Sequence, residues 1–246
     1  MPDLKIGLLG ATGRMGRALA NEILAQSGLI LTAAGERPDN ESVEGQIRPH
    51  HHKIQAVAVT KNAEVVFERS EVVLDFTEAS AAVGHARLAA ATNTPLLIGT
   101  TGLSKNNESE IVKHAANIAI LRSRNTSRGI ALLTLAIEEL SERLGDDFEV
   151  KIHDIHHRGK KDAPSGTALM LAEAMGGAGD RAVFSSSREG SVIGEHQILF
   201  TSADEEIGLI HRAKSRKLFA TGALQAARWL KNQPPGLYSM KDVFRP

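Results

Sequence analysis

Leu4-Lys5-Ile6-Gly7-Leu8-Leu9-Gly10-Ala11-Thr12-Gly13-Arg14-Met15-Gly16 decides the fold. A short apolar strand runs into glycines spaced G-x-x-G-x-x-G. A helix-like stretch to Ala25 and a second apolar strand over 29–34 follow, which makes a β-α-β unit. Glycines let the backbone turn tightly and approach a pyrophosphate, whose charge is met by unpaired N–H groups at a helix N-terminus. The turn from Gly10 through Gly13, Arg14 and Met15 to Gly16 is therefore a candidate dinucleotide site; a tight turn without a ligand is the plainer alternative.

The end of the second strand tests this reading. Glu36 stands there, about 20 residues after the turn, where an acidic side chain accepts hydrogen bonds from ribose hydroxyls. Arg37 follows, and its guanidinium suits a 2′-phosphate instead. One dipeptide offers both options, so the cofactor is NADH, NADPH or either. Further apolar strands recur at 72–75, 95–98 and 118–121, separated by alanine-rich helical stretches at 79–91 and 107–115. Such alternation implies a parallel sheet covered by helices. Ligands on such sheets lie beyond the carboxyl ends of the strands. That places Asp75-Phe76-Thr77 and Gly99-Thr100-Thr101-Gly102 on the nicotinamide side. Asn125-Thr126-Ser127 comes after the last of these strands and fits a hinge or a plain helix N-cap equally well.

The pattern changes after about residue 125. Residues 130–144 read as one helix, and Phe148, Val150 and Ile152 alternate with Glu149, Lys151 and His153 as in a strand with one buried face. Two more strands are expected at 193–201 and 207–213, which suggests a second, α+β domain. The glycine-rich run 175–179 and Ser185-Ser186-Ser187 read as a surface loop. Leu218, Ala220, Leu224, Ala227 and Leu230 then recur at helical spacing before Pro234-Pro235-Gly236, a helix able to return to the first domain. The fold class expected is thus α/β: a Rossmann-like parallel-sheet domain plus a second α+β domain with an open mixed sheet. The boundaries are 1–125 for the dinucleotide-binding domain, joined by 215–246, and 126–214 for a substrate-binding and oligomerisation domain.

Composition narrows the function classes. The 246 residues leave room for one large domain or two small ones. Lys plus Arg total 29, as do Asp plus Glu, so no overall charge favours nucleic acid or an anionic membrane. Cysteine is absent, which removes disulfides and thiolate chemistry and fits a reducing compartment. Met1-Pro2-Asp3-Leu4-Lys5 lacks the regions of a signal peptide, and no apolar run approaches the roughly 18 residues of a membrane span. A cytoplasmic protein is expected.

His156-His157-Arg158-Gly159-Lys160-Lys161-Asp162-Ala163-Pro164-Ser165-Gly166-Thr167 follows the alternating strand and precedes an apolar helix. Histidine, with a reference pKa of about 6.5, gives or takes a proton near neutrality. The lysines and arginine supply fixed positive charge, and Ser165-Gly166-Thr167 opens a helix after proline, a ready carboxylate site. Together these would bind a small dianion and protonate it. Against a metal site at His153, His156 and His157 stands the lack of any carboxylate-plus-histidine spacing of zinc enzymes. Against a nucleic-acid loop stands the single tyrosine and single tryptophan available for base stacking. His50-His51-His52 reads as a solvated loop and is given no role.

These stretches resemble the dihydrodipicolinate (4-hydroxy-tetrahydrodipicolinate) reductases of bacterial lysine and diaminopimelate synthesis. The resemblance runs along most of the chain. Besides the glycine turn it includes Asp75-Phe76-Thr77, Ile98 to Gly102, the run from His156 to Thr167, Gly194-Glu195-His196, His211-Arg212-Ala213 and Pro235-Gly236-Leu237-Tyr238. The His-His-Arg-x-Lys-x-Asp-Ala-Pro-Ser-Gly-Thr run is highly specific to that family, whereas the glycine turn is not. The resemblance implies a two-domain enzyme, often a tetramer built through the second domain's sheet, that transfers hydride from NAD(P)H to a cyclic unsaturated dicarboxylate.

By the same resemblance His156 is the proton donor, Lys160 the lysine paired with it, and His157 a substrate-contacting histidine, while Gly166 and Thr167 hold a substrate carboxylate. Glu36 and Arg37 match the cofactor-discriminating pair, and Gly10, Met15, Gly99 and Thr101 match positions around the dinucleotide. Phe76, Thr77, Thr100 and the segment Arg124-Asn125-Thr126 complete the cofactor set. This chain departs from the family at Arg124, Thr126 and Arg128, at Asp154 where glutamate is usual, and in a shorter 176–194 stretch. The residues by themselves leave open a dehydrogenase of another amino or imino acid, or a nucleotide-binding protein without turnover. Closure of the two domains on ligand is expected, because cofactor and proton donor lie on different domains.

Overall fold

A computed structural model describes residues 2–37, 46–47 and 57–245, so His50-His51-His52 lie outside the described residues. The first stretch alternates strands and helices: β1 (Leu4–Leu9), α1 (Arg14–Ala25), β2 (Leu29–Gly35), β3 (Gln46–Ile47), β4 (Val57–Thr60), α2 (Ala63–Glu68), β5 (Val72–Asp75), α3 (Ala79–Thr92), β6 (Leu96–Ile98), α4 (Lys105–Ala115) and β7 (Ala119–Arg122). A different pattern follows, with α5 (Arg128–Leu144), β8 (Glu149–His156), α6 (Gly166–Ala174), α7 (Gly177–Asp180), β9 (Val183–Arg188), β10 (Glu195–Thr201) and β11 (Glu206–Arg212). The chain ends in α8 (Lys217–Leu230), β12 (Gly236–Tyr238) and α9 (Met240–Phe244). Two compact units result: Met1–Thr126 with Phe219–Pro246, and Ser127–Leu218.

The first unit is a Rossmann-like sheet of order β12-β7-β6-β5-β1-β2-β4-β3, parallel throughout except for the edge pair β3–β4. Its central strands are buried on both faces: all four residues of β5 and all three of β6 lack exposure, hence the unbroken apolar runs. On one face Leu9, Val73, Leu96, Ile98 and Ile120 pack with Val66 and Phe67 of α2, Ala82, Ala86 and Ala89 of α3 and Ile111 of α4. The small alanines of α3 let that helix lie close to the sheet. On α8 the periodic residues Ala220, Ala223, Leu224, Ala227 and Leu230 are buried, and Arg228 donates to the carbonyls of Ser27 and Gly28 just after α1. β12 then pairs in parallel with β7 and completes the edge.

The chain leaves β1 toward β2 and β4 and then crosses back to β5 on the other side of β1. Strand order therefore reverses at β1 and β5, where the crevice of an open α/β sheet forms.

The second unit is a four-stranded mixed sheet of order β11-β10-β8-β9, in which β8–β10 and β10–β11 are antiparallel and β8–β9 parallel. Helices α5 and α6 cover one face, burying Ile137, Ala168, Leu171 and Ala172 against Val150 and Ile152 of β8 and Ile198 and Phe200 of β10. Two expectations are corrected here. Ser185-Ser186-Ser187 belongs to β9 rather than to a loop, and residues 177–179 of the glycine-rich run, with Asp180, form the short helix α7. Serines have low strand propensity, so tertiary pairing with β8 decides the local structure. Ser127 acts as the N-cap of α5, its hydroxyl accepting from the Ile130 amide at 3.2 Å.

Candidate functional site

In the first unit, the glycine turn is built by close approach. Gly10 has φ +77°, and a Cβ there would lie 2.6 Å from the Phe76 carbonyl oxygen at the end of β5. A Cβ on Gly16 would lie 2.1 Å from the Gly10 carbonyl oxygen, backbone against backbone. Only glycine fits at either position. Helix α1 starts directly from this turn, with neither a side-chain N-cap nor an acidic residue in its first turn. Its N-terminal N–H groups and dipole are thus left for an anion.

Beside the turn opens a cavity of about 590 Å³, lined by Gly10, Thr12, Gly13, Glu36, Arg37 and Phe76 among others. Glu36 Oε2 accepts from the Thr12 amide at 3.2 Å and the Thr12 hydroxyl at 2.5 Å, which locks the carboxylate at the cavity wall. Arg37 reaches Glu78 at 3.6 Å, an exposed pair. At the end of β5, the buried Asp75 carboxylate accepts from the Thr77 amide and hydroxyl and meets His85 Nδ1 at 2.8 Å, fixing the Phe76-Thr77 turn. Gly99 lies under the Phe76 ring, where a Cβ would come within 2.3 Å of ring carbon. Thr100 is buried and its hydroxyl has no partner among the described residues, Thr101 is exposed, and the Thr126 hydroxyl donates to the Phe219 carbonyl at 2.8 Å. Arg14 is exposed, while Met15, Arg124 and Asn125 are half-buried. The glycine cradle, the cavity and the Glu36 carboxylate on its wall together fit a dinucleotide.

In the second unit, the site grows out of strand alternation. The helix-covered face of β8 carries Val150, Ile152, Asp154 and His156 in succession, all buried. Two apolar positions are followed by two ionisable ones. Asp154 pairs in register with Ser186 of β9 and His196 of β10, and His196 with His211 of β11. A polar row therefore crosses the sheet just beyond the apolar core.

Asp154 is the hub of this row. Its Oδ1 meets His156 Nδ1 at 2.8 Å and accepts from Arg188 Nη1 at 3.1 Å. Its Oδ2 accepts from the Ser165 amide at 3.1 Å and the Ser186 hydroxyl at 2.7 Å. Burial by itself would raise the Asp154 carboxyl, but the bonds from Ser186, Ser165 and His156 outweigh it and hold it below its ordinary value. His156 is pushed below its ordinary value by burial first; Asp154 opposes this, while the Lys160 and Arg188 cations add to it. The neighbouring His196 ring stands edge-on to His156 with centroids 5.2 Å apart, and burial pushes its pKa down to about 4.

The loop 157–165 is drawn to the same hub. Ser165 caps α6 through the Ala168 amide, and Gly166 opens the helix with nothing within 4 Å of an added Cβ. Its exposed start, with the half-buried Thr167 beside it, is accessible to a carboxylate. Lys160 Nζ donates to both oxygens of Asp162, at 2.8 and 2.9 Å, so its pairing partner here is that aspartate. The carboxyl of Asp162 is held below its ordinary value by that bond. His157 is half-buried, with its ring against Gly159. Among the described residues no three His, Asp or Glu side chains are grouped to hold a metal ion.

The comparisons match this geometry. Residues 4–126 match the family model described as dihydrodipicolinate reductase, N-terminus, and residues 129–244 match its C-terminus. The chain belongs to the dihydrodipicolinate reductase family. A 4-hydroxy-tetrahydrodipicolinate reductase of Thiobacillus denitrificans is 34% identical over 263 residues, covering 98% of both chains. One from Rhodopseudomonas palustris is 36% identical over 267 residues, covering 99% of this chain and 98% of the relative. In fold, the chain is similar to the dipicolinate-bound dihydrodipicolinate reductase of Paenisporosarcina sp. TG-14, with TM-score 0.82, 22% identity and coverage of 98% and 99%.

The sequence alone gives Arg188 and Ser186 no site role, and marks Asp154 only as a departure from the family. One signal pointed to Asp154 and His156: the alternation of β8 continues through them, so both fall on the buried face. Arg188 carried no such signal, because its contacts depend on which strand pairs with β8.

Proposed function

We propose that the chain is a 4-hydroxy-tetrahydrodipicolinate reductase, using NADH or NADPH to reduce a cyclic unsaturated dicarboxylate to tetrahydrodipicolinate in lysine and diaminopimelate synthesis. The observation that carries this reading is the match of both units to one reductase family, with a buried Asp154–His156 pair beside the helix-opening Ser165-Gly166-Thr167. The first unit is the dinucleotide-binding domain. Gly10, Gly13, Arg14, Met15 and Gly16 would cradle the pyrophosphate, and Glu36 with Arg37 the adenine ribose. Phe76, Thr77, Gly99, Thr100, Thr101 and the 124–126 segment would line the nicotinamide side. The second unit is the substrate-binding domain.

Hydride transfer from bound NADH or NADPH is the chemistry that the cofactor supplies. Everything else falls to side chains and amides of this chain. The N–H groups of Gly166 and Thr167 at the start of α6 hold one substrate carboxylate, Lys160 meets negative charge on the substrate, and His157 contacts it. After hydride addition to the conjugated imine a carbon must be protonated, and His156 gives that proton. With Nδ1 turned to Asp154, the Nε2 atom faces Gly194, 3.2 Å from where a Cβ would stand. An arriving dianion favours the imidazolium that burial and nearby cations otherwise suppress, so the donor charges as the substrate binds.

A homotetramer assembled through the second domain's sheet extends this reading. Its support is the sheet face opposite α5 and α6, on which Val183 and Ile210 are exposed at 60% and 54%. Light scattering of the purified protein tests it. A cytoplasmic setting, where the pool of reduced coenzyme and a cysteine-free chain both fit, completes it. Among the described residues no helix is long and apolar enough to cross a membrane. The deciding experiment is loss of reduced-nicotinamide absorbance with enzymatically generated substrate, NADH and NADPH compared. No oxidation with either coenzyme would remove the assignment.

A further inference from the structure

We infer that Arg188 is a positioning residue for the proton donor: its guanidinium ties the loop that carries Lys160 to the carboxylate that orients His156, and it shares that carboxylate with the imidazole. This inference rests on His156 being the donor. Arg188 ends the edge strand β9, directly opposite His156 in the parallel register with β8. Its side chain is mostly buried, with 20% exposed.

Four hydrogen bonds use the fork. Nη1 donates to Asp154 Oδ1 at 3.1 Å and to the Ser187 carbonyl at 2.7 Å, Nε to the Lys160 carbonyl at 3.3 Å, and Nη2 to the Asp162 carbonyl at 2.5 Å. Two of these acceptors belong to the loop that presents Lys160 and its partner Asp162. The third is the carboxylate oxygen that also holds His156 Nδ1. A planar guanidinium satisfies acceptors in several directions at once, which an ammonium on a flexible stem does not. Donor and cation are thus set in one frame by a residue that neither reacts nor needs to touch substrate.

The shared oxygen has an electrostatic consequence. A carboxylate that only served His156 would favour the imidazolium; one divided with a permanent cation favours it less. The charged and titratable groups facing His156 are Asp154 on its own strand, Arg188 on β9, His196 on β10 and Lys160 on the loop. Both cations lower the His156 pKa, Lys160 more than Arg188; Lys160 is bonded to Asp162, whereas Arg188 takes up the very carboxylate oxygen that holds His156 Nδ1.

The test compares full-length wild type, Arg188→Gln and Arg188→Lys. The readouts are the titration of His156 by NMR of the histidine ring protons, assigned with His156→Asn, the dissociation constant for NADH, and steady-state constants for the diacid. Arg188→Gln is expected to raise the His156 midpoint and to raise KM roughly tenfold, as loss of a charge-assisted bond does. Arg188→Lys keeps the charge and so the midpoint, but not the clamp on both carbonyls, so KM still rises. NADH affinity stays within twofold of wild type in both.

An unmoved midpoint in Arg188→Gln overturns the inference even if KM rises, because a merely structural arginine would give that result. If Arg188→Gln does not fold, an unchanged KM in Arg188→Lys overturns it instead. Failure of the wild type to reduce the diacid would sink the reductase reading, while the histidine midpoints would still report on the shared carboxylate.

Discussion

Lys160 Nζ sits between the two carboxylate oxygens of Asp162, at 2.8 and 2.9 Å. The cation proposed to meet the substrate is therefore already paired, and a substrate carboxylate must compete with Asp162 for it. Asp162 is exposed, so the pair is worth little to stability but matters at the site. Asp162→Asn is expected to tighten binding of pyridine-2,6-dicarboxylate by about twofold to fivefold at low salt. Calorimetric titration of both proteins checks this, and weaker binding in the variant would contradict it.

His156→Ala should lower kcat by about 10²–10⁴-fold while leaving NADH affinity nearly intact. Lys160→Ala should lower kcat and raise KM together. Stopped-flow and fluorescence titration separate the two effects; unchanged turnover in His156→Ala would take that residue out of the donor role.

The His156 proton should also appear in the pH dependence. In the free protein burial holds its pKa below the ordinary value, so kcat/KM falls as pH rises through a midpoint under about 6.5. In the complex the dianion raises that midpoint, so kcat persists to higher pH. Binding of the dicarboxylate near pH 7 should accordingly take up a proton. Heats of binding in two buffers of different ionisation enthalpy measure this uptake, and buffer-independent heats would rule it out.

His196 predicts an acid-sensitive fold. Its pKa is about 4 in the folded chain and about 6.5 when unfolded, so the unfolded state binds the extra proton between those values. Its contribution is fully present above about pH 6.5 and is lost progressively as pH falls toward 4, by about 3 kcal/mol in all. In His196→Gln the fall of Tm from pH 7 to about 4.5 should be visibly shallower.

Gly194→Ala puts a methyl 3.2 Å from His156 Nε2 and 3.7 Å from the His196 ring. The backbone there does not have a positive φ, so the cost falls on the imidazole rather than on the fold. A drop in kcat with near-native Tm is expected. Gly16→Ala is the contrast: backbone meets Cβ, and coenzyme binding and stability should fail together.

Much of the first unit was legible because its information is local. The G-x-x-G-x-x-G spacing, the apolar runs and the residue at the end of β2 all follow from short-range sequence, and the structure adds the contacts that make Gly10 and Gly16 obligatory. The candidate loop at 156–167 was visible through its density of proton donors. What was not legible depends on pairing across distance: Ser186 and Arg188 reach Asp154 only because β9 lies in parallel beside β8, 32 and 34 residues apart in sequence. The serine run itself suggested a loop, since nothing local in it favours a strand. The bond from Lys160 to Asp162 was local, yet residue types alone could not say which of several carboxylates a lysine would choose.

Placing α8 and β12 in the first unit has a consequence for synthesis on the ribosome. The edge of β7 that β12 covers stays bare until residues 236–238 have emerged, and α8, which comes just before them, also emerges only after the whole second unit. The intervening unit, Ser127–Leu218, is contiguous and can mature while its discontinuous neighbour waits. Released chains truncated after residue 218 should therefore protect the later segment from protease better than the earlier one, the reverse of the usual N-to-C order of maturation.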